Sequence, residues 1–124
     1  MRRAALILFT VAMVTAPSAR AELDPAGARR NYEQIETQYA GLMTWLSETA
    51  TKALVYKEEG NMDYACAHWR GARDGMVEVQ KALRDMIRYD KAAGGTGELD
   101  EQRLRRMQET HAKLEVRIRA ECGG

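Results

Sequence analysis

Two cysteines, Cys66 and Cys122, are the only ones in the chain, and they stand 28 residues before and 28 residues after Gly94. That symmetry restricts the fold more than any other feature. If the chain doubles back at Gly94 as an antiparallel hairpin, the two thiols face one another and can close a bridge. Both also fall on apolar stripes of helical period: Met62, Cys66, Trp69, Ala72, Met76, Val79, Leu83 and Met86 or Ile87 before the glycine, and Leu104, Met107, His111, Leu114, Ile118 and Cys122 after it. Three-four spacing of this kind is the mark of an amphipathic helix. A bond closing so long a loop stabilises by about 4 kcal/mol on the chain-entropy account.

Disulfides persist in oxidising compartments, and the N-terminus agrees with that setting. Met1-Arg2-Arg3 is followed by an uncharged stretch of 13 residues, Ala4 to Ala16, broken by Pro17 and Ser18. Ala19 and Ala21 place small residues at −3 and −1 of a cleavage site. This is the anatomy of a secretory signal peptide, and 13 residues fall short of the ~20 that a membrane-spanning helix needs. Residues 1–21 are therefore expected to be cleaved, leaving a single helical domain of residues 22–124 in the bacterial periplasm or outside the cell. Loss of Arg2, Arg3 and Arg20 leaves 16 basic residues against 18 acidic ones, a net of −2. A nucleic-acid binder would carry a basic excess, so nucleic acid is not an expected partner. No later segment is apolar enough to insert into a bilayer.

Proline is absent after Pro25, and glycines at 60, 94, 95 and 97 punctuate three segments. Strand signals are missing. The first segment opens with Asp24 as a candidate N-cap and Pro25 at the first helical position, where its lacking N–H costs nothing. Its stripe is Tyr32, Ile35, Tyr39, Leu42, Leu46, Ala50 and Ala53, widened by Met43 and Trp45. Asn61 is positioned to cap the second helix. Asp100 is the candidate cap of the third, with Leu99 and Leu104 set for a hydrophobic staple. Short connections make sequential helices antiparallel neighbours. The expected fold is all-α: an antiparallel up-down-up three-helix bundle stapled by one disulfide. Glu101–Arg105, Glu109–Lys113 and Glu115–Arg119 are spaced for ion pairs within the third helix. Arg103, Arg105 and Arg106 are intermixed with Glu98, Asp100 and Glu101 and read as a solvated helix face.

At the first corner, Ala53, Tyr56, Gly60, Ala65, Trp69 and Ala72 follow the order small, aromatic, glycine, alanine, aromatic, alanine. Residues 49–72 resemble one tetratricopeptide-type hairpin in this spacing. The resemblance implies close helix packing at that corner. It does not extend to peptide binding, because the closing proline is replaced by Val77 and no second repeat follows, whereas such units stack in threes or more.

Chemistry finds little footing. The chain has no Gly-x-Ser-x-Gly, no Gly-rich phosphate loop and no His-Glu-x-x-His. Ser47 is the only serine past the leader. Cys66-Ala67-His68 lacks the second cysteine of a haem-attachment or thioredoxin-like motif. His111 interrupts an apolar stripe, and hairpin register sets it opposite residue 77, near Met76 and Gln80. Imidazole and thioether suit haem iron or copper, so a haem or copper carrier using His111 and Met76 is the alternative. The other reading of His111 is a seam residue hydrogen-bonded to Gln80. The favoured expectation is a non-enzymatic adaptor without a cofactor, binding another envelope protein or a second copy of itself. Met43, Trp45 and Val55, with Leu54 and Tyr56, make the first helix apolar over a wide arc and are the expected partner surface.

Overall fold

A computed structural model describes residues 24–123; the expected signal peptide lies outside the described residues. Three helices make up this span: α1 Pro25–Glu58, α2 Met62–Ala92 and α3 Glu98–Cys122. At 1.5 Å per residue they are about 51, 46 and 37 Å long. They run up, down and up, with α1 packed on α2 and α2 packed on α3. The protein is an all-α antiparallel bundle, and among the described residues there is no strand.

The helix ends follow local chemistry, with two departures from expectation. Pro25 opens α1, but the Asp24 side chain makes no capping bond; the Asp24 carbonyl instead accepts from Ala28 N–H at 2.7 Å. Asn61 caps α2, its side-chain oxygen accepting from Tyr64 N–H at 3.5 Å. α3 starts before Asp100. Its N-cap is Gly97, left-handed at φ 72°, and Asp100 is the third helical residue, almost wholly buried. Leu99 is left exposed, so it forms no staple.

The core lies along α2. Leu46, Ala72, Met76, Val79, Leu83, Met86 and Met107 form its larger cluster, with Tyr32, Ile35, Tyr39 and Leu42 of α1 and Leu104 and Leu114 of α3 packed against it. Val79, Leu83 and Met86 have no exposed surface, and burial of each such side chain stabilises by roughly 1.5–3 kcal/mol. On the side of α2 facing α1, the helices close tightly where α2 has no side chain. A Cβ on Gly75 would collide with Cζ3 of Trp45. The edge of the indole therefore occupies the space that a side chain at Gly75 would take.

The second cluster is the first corner. Ala53, Ala65, Cys66, Trp69 and Ile118 are buried together, with Tyr56, Met62, Leu114 and Cys122 against them. Ala72 is buried one turn further along, and Gly60 makes the turn at φ 78°. The small residues let α1 approach α2, and Trp69 fills the space between them. Cys66 and Cys122 form a disulfide, Cα–Cα 5.8 Å, at this end of the bundle. Hairpin symmetry about Gly94 thus places the bond.

The opposite end is held by Asp90. Its carboxylate accepts from Arg29 of α1 at 2.9 Å and from the Gly97 backbone N–H at 2.8 Å. The Asp90 carbonyl accepts from Gly95 N–H at 2.8 Å. One residue therefore joins α1, the second loop and the start of α3. The Arg29 hydrogen bond, then the Gly97 N–H, hold its carboxyl below the usual aspartate range.

Two predictions follow from these clamps. Replacing Cys66 and Cys122 together by serine lowers unfolding free energy by about 2–5 kcal/mol, read by urea denaturation beside the oxidised parent. Asp90→Asn destabilises at neutral pH. Because the folded pKa lies below the unfolded one of about 3.9, the carboxylate's contribution is full above that pH and disappears as pH falls through the folded value. The stability gap between parent and variant must close in acid; a gap that persists unchanged there refutes the assignment.

Candidate functional site

α1 and α3 both rest on α2 but meet each other chiefly through side chains, at two bridges. Near one end the Tyr32 hydroxyl donates to Asp100 Oδ2 at 2.9 Å; near the other Lys57 pairs with Glu121. Between the bridges the two helices leave a groove. One part of it, about 310 Å³, has Ala50 and Leu54 on the α1 wall, Trp69, Ala72 and Met76 at its base, and Thr110, Lys113, Leu114 and Arg117 on the α3 wall. It continues past Thr110 into a second recess between Tyr39 and Met43 of α1 and Arg103, Arg106 and Met107 of α3. The base is apolar because it is formed by the buried stripe of α2, which α1 and α3 cover from either side.

The two walls differ in charge. The α1 residues facing the groove are neutral. The α3 wall carries Arg103, Arg106, Lys113 and Arg117. Arg103 is bound to Asp100 at 2.9 Å and lies 5.7 Å over the Tyr39 ring. The Arg117 guanidinium stands 5.3 Å over the Trp69 ring and 3.9 Å from Glu121. Arg106 and Lys113 are exposed, and no carboxylate among the described residues pairs with either. The arginines of α3 are therefore not one solvated face: Arg103 and Arg106 line the groove, and Arg105 does not.

The ion pairs expected along α3 do not form. Glu101 pairs with Lys91 at 3.1 Å, and Glu115 lies 3.6 Å from Arg73, both across to α2. Among the described residues Glu109 has no cation within 4.0 Å. A carboxylate on the inner edge of α3 reaches a cation on the neighbouring helix as easily as one a turn away, and the helix–helix seam orders both.

His111 takes the seam arrangement. The Gln80 side-chain amide donates to its Nδ1 at 2.9 Å, which leaves the proton on Nε2, 3.5 Å from Glu115 Oε1. Met76 stands in the floor of the groove instead. A haem or copper ion on this pair would have to displace Gln80 or Glu115 from the imidazole. Among the described residues no three His, Cys, Asp or Glu side chains are grouped to hold a metal. His68 donates from Nδ1 to the Tyr64 carbonyl at 2.8 Å and packs beside Tyr56, with ring centres 5.1 Å apart.

The expected partner residues do not form one surface. Met43 faces the groove, Trp45 lies on the other flank of α1 with Thr49, Ala67, His68 and Gly71, and Val55 is exposed but lines neither recess. Of that apolar arc Leu54 also faces the groove, opposite Thr110 of α3, which the stripes do not single out. Helical period orders residues around one helix; it cannot say which flank a third helix leaves open.

Asp100 is the other residue whose role differs from expectation. It lies four residues before Leu104 and seven before Met107, so it continues the buried stripe of α3. That spacing was the available signal. Two donors, Tyr32 and Arg103, satisfy it, and no buried side-chain N or O among the described residues lacks a partner. Burial, then the hydrogen bond to Asp100, pushes the Tyr32 phenol up to about 12.

No family model matches the chain, and neither the curated proteins nor the solved structures compared with it contain a similar one. What the coordinates define is a class: a small three-helix bundle, closed by one disulfide, with an open groove between its first and third helices. No helix among the described residues is long and apolar enough to cross a membrane.

The Tyr32–Asp100 bridge is open to test. Tyr32→Phe leaves Asp100 with Arg103 alone and costs about 1–3 kcal/mol in denaturant unfolding. Because the folded pKa of Tyr32 is raised, the bridge's stabilisation is full below the ordinary tyrosine pKa of about 10 and is lost as pH rises towards the folded value. Tyrosinate absorbance should show one tyrosine ionising later than the rest, and that late step should vanish in the variant.

Proposed function

We propose that this chain is a small exported, non-enzymatic binding module of the cell envelope, acting by holding another protein in the α1–α3 groove. The observation that carries the reading is a recess between α1 and α3 whose lining is mainly apolar: Leu54 stands exposed on one wall, above Trp69, Ala72 and Met76, which lie nearly buried at its base. An apolar strip bordered by polar side chains is the form of a protein-docking surface. The groove is shallow and open along its length, which suits a macromolecular partner better than an enclosed small ligand. The export element of the proposal rests on the leader sequence, and an oxidising compartment suits the disulfide.

A photoreactive amino acid placed at Leu54, inside the groove, should give protein adducts in the cells of origin. The same amino acid at Gln108, exposed on the far side of α3, should give none. Absence of adducts at Leu54, or equal yields at both sites, overturns the proposal.

A further inference from the structure

We infer that the occupant of the groove is an acidic amphipathic helix of another protein, lying along α2 with its carboxylates over α3. The inference rests on reading the groove as a protein-docking surface and adds the chemistry of what docks there.

Three features select this occupant. The first is shape. From Arg103 to Arg117 the groove runs 14 residues along α3, about 21 Å, or four helical turns, with a helix for each wall and a third beneath. A fourth helix laid there completes a four-helix arrangement. The second is the backbone. All three surfaces of the groove are helices whose amides and carbonyls are bonded internally, so an extended segment would find no ladder to pair with. A helix arrives with its own backbone already satisfied.

The third is charge. Residues 22–124 hold 16 basic against 18 acidic residues, yet Arg103, Arg106, Lys113 and Arg117 all border this groove on one side. Stacking on Tyr39 and Trp69 fixes two of them at the rim. Among the described residues Arg106 and Lys113 are in no ion pair, and both are exposed to pair with an incoming carboxylate. The α1 wall offers neither cation nor carboxylate along Tyr39, Met43, Ala50 and Leu54. The complementary helix is therefore apolar on its buried face, acidic on one flank and uncharged on the other.

A second copy of this chain does not meet that description. Docked groove to groove, one two-fold arrangement sets the four cations against themselves and the other sets them against the carboxylate-free α1 wall. A flat anionic membrane would reach the cations but would not enter the recess between α1 and α3.

The test uses the full chain. The segment captured at Leu54 is sequenced, and a synthetic peptide of that segment is titrated against the parent and against the double variant Arg106→Glu, Lys113→Glu. Both positions are exposed, and circular dichroism checks that the variant keeps its helices. The expected segment is amphipathic and acidic. Its affinity should weaken with salt and fall about tenfold or more in the double variant, each reversal turning a rim attraction into a repulsion. A peptide with its acids changed to lysine should regain binding to the variant and not to the parent. Arg106→Gln with Lys113→Gln should give an intermediate loss. A captured segment that is basic, neutral, or this chain itself overturns the inference while leaving protein docking intact, as does an affinity that the reversals do not change. Binding of the parent to phosphatidylglycerol vesicles in preference to the peptide overturns it in favour of a lipid surface. No adduct at Leu54 at all removes the docking reading together with it.

Discussion

α2 must be covered on two sides at once, and the rest of the arrangement follows from that demand. It buries side chains from Ala65 to Tyr89 along most of its length, whereas α1 and α3 each bury only a few. The cheapest cover for a wide stripe is a helix on each flank. Helices placed there to serve α2 are too far apart to serve each other. Among the described residues their polar contacts are Tyr32–Asp100 and Lys57–Glu121, with Arg103 over the Tyr39 ring, and a shallow recess remains between the two helices. The groove is thus a by-product of how the core is built, made useful by what its walls carry.

Electrostatics then separates the two walls. Cations on the inner edges of the helices are claimed by neighbours: Lys91 by Glu101, Arg73 by Glu115, Arg29 by Asp90. Pairs of this exposure contribute at most about 1 kcal/mol each, so they set register more than stability. Glu115 reaches α2 and His111, and Glu121 is divided between Lys57 and Arg117. With those acids committed elsewhere and Glu109 in no ion pair among the described residues, Arg106 and Lys113 stand at the groove unpaired, one helical turn either side of Glu109. The same distribution that knits α3 to α2 gives its outer edge a positive sign.

Much of the scaffold was legible in the residues. Glycine placement marks both turns, Pro25 and Asn61 mark helix starts, and the equal spacing of Cys66 and Cys122 about Gly94 implies their pairing. Two kinds of information were not. Cap prediction failed at Asp100 because an acidic residue near a helix start looks alike whether it faces solvent or a neighbour's hydroxyl; only its place on the stripe distinguished the two. The groove was invisible for a different reason. Periodicity reports which face of a helix is buried, and the gap between α1 and α3 depends on how far apart two such faces stand on a third. Trp45 shows the same limit: its exposure could be anticipated, but not that Gly75 would draw it to the flank away from α3.

The disulfide has a topological side as well. Its covalent ring contains nearly all of α2 and α3 and the loop joining them, while α1 lies wholly outside it. Tension applied to the two chain ends would run through α1, cross the sulfur bridge and bypass the hairpin. Of the three described helices, α1 alone can swing off and settle back without any covalent link having to open. The groove wall that bears Leu54 and Met43 is therefore the detachable one, and the wall that bears the cations is anchored to the ring.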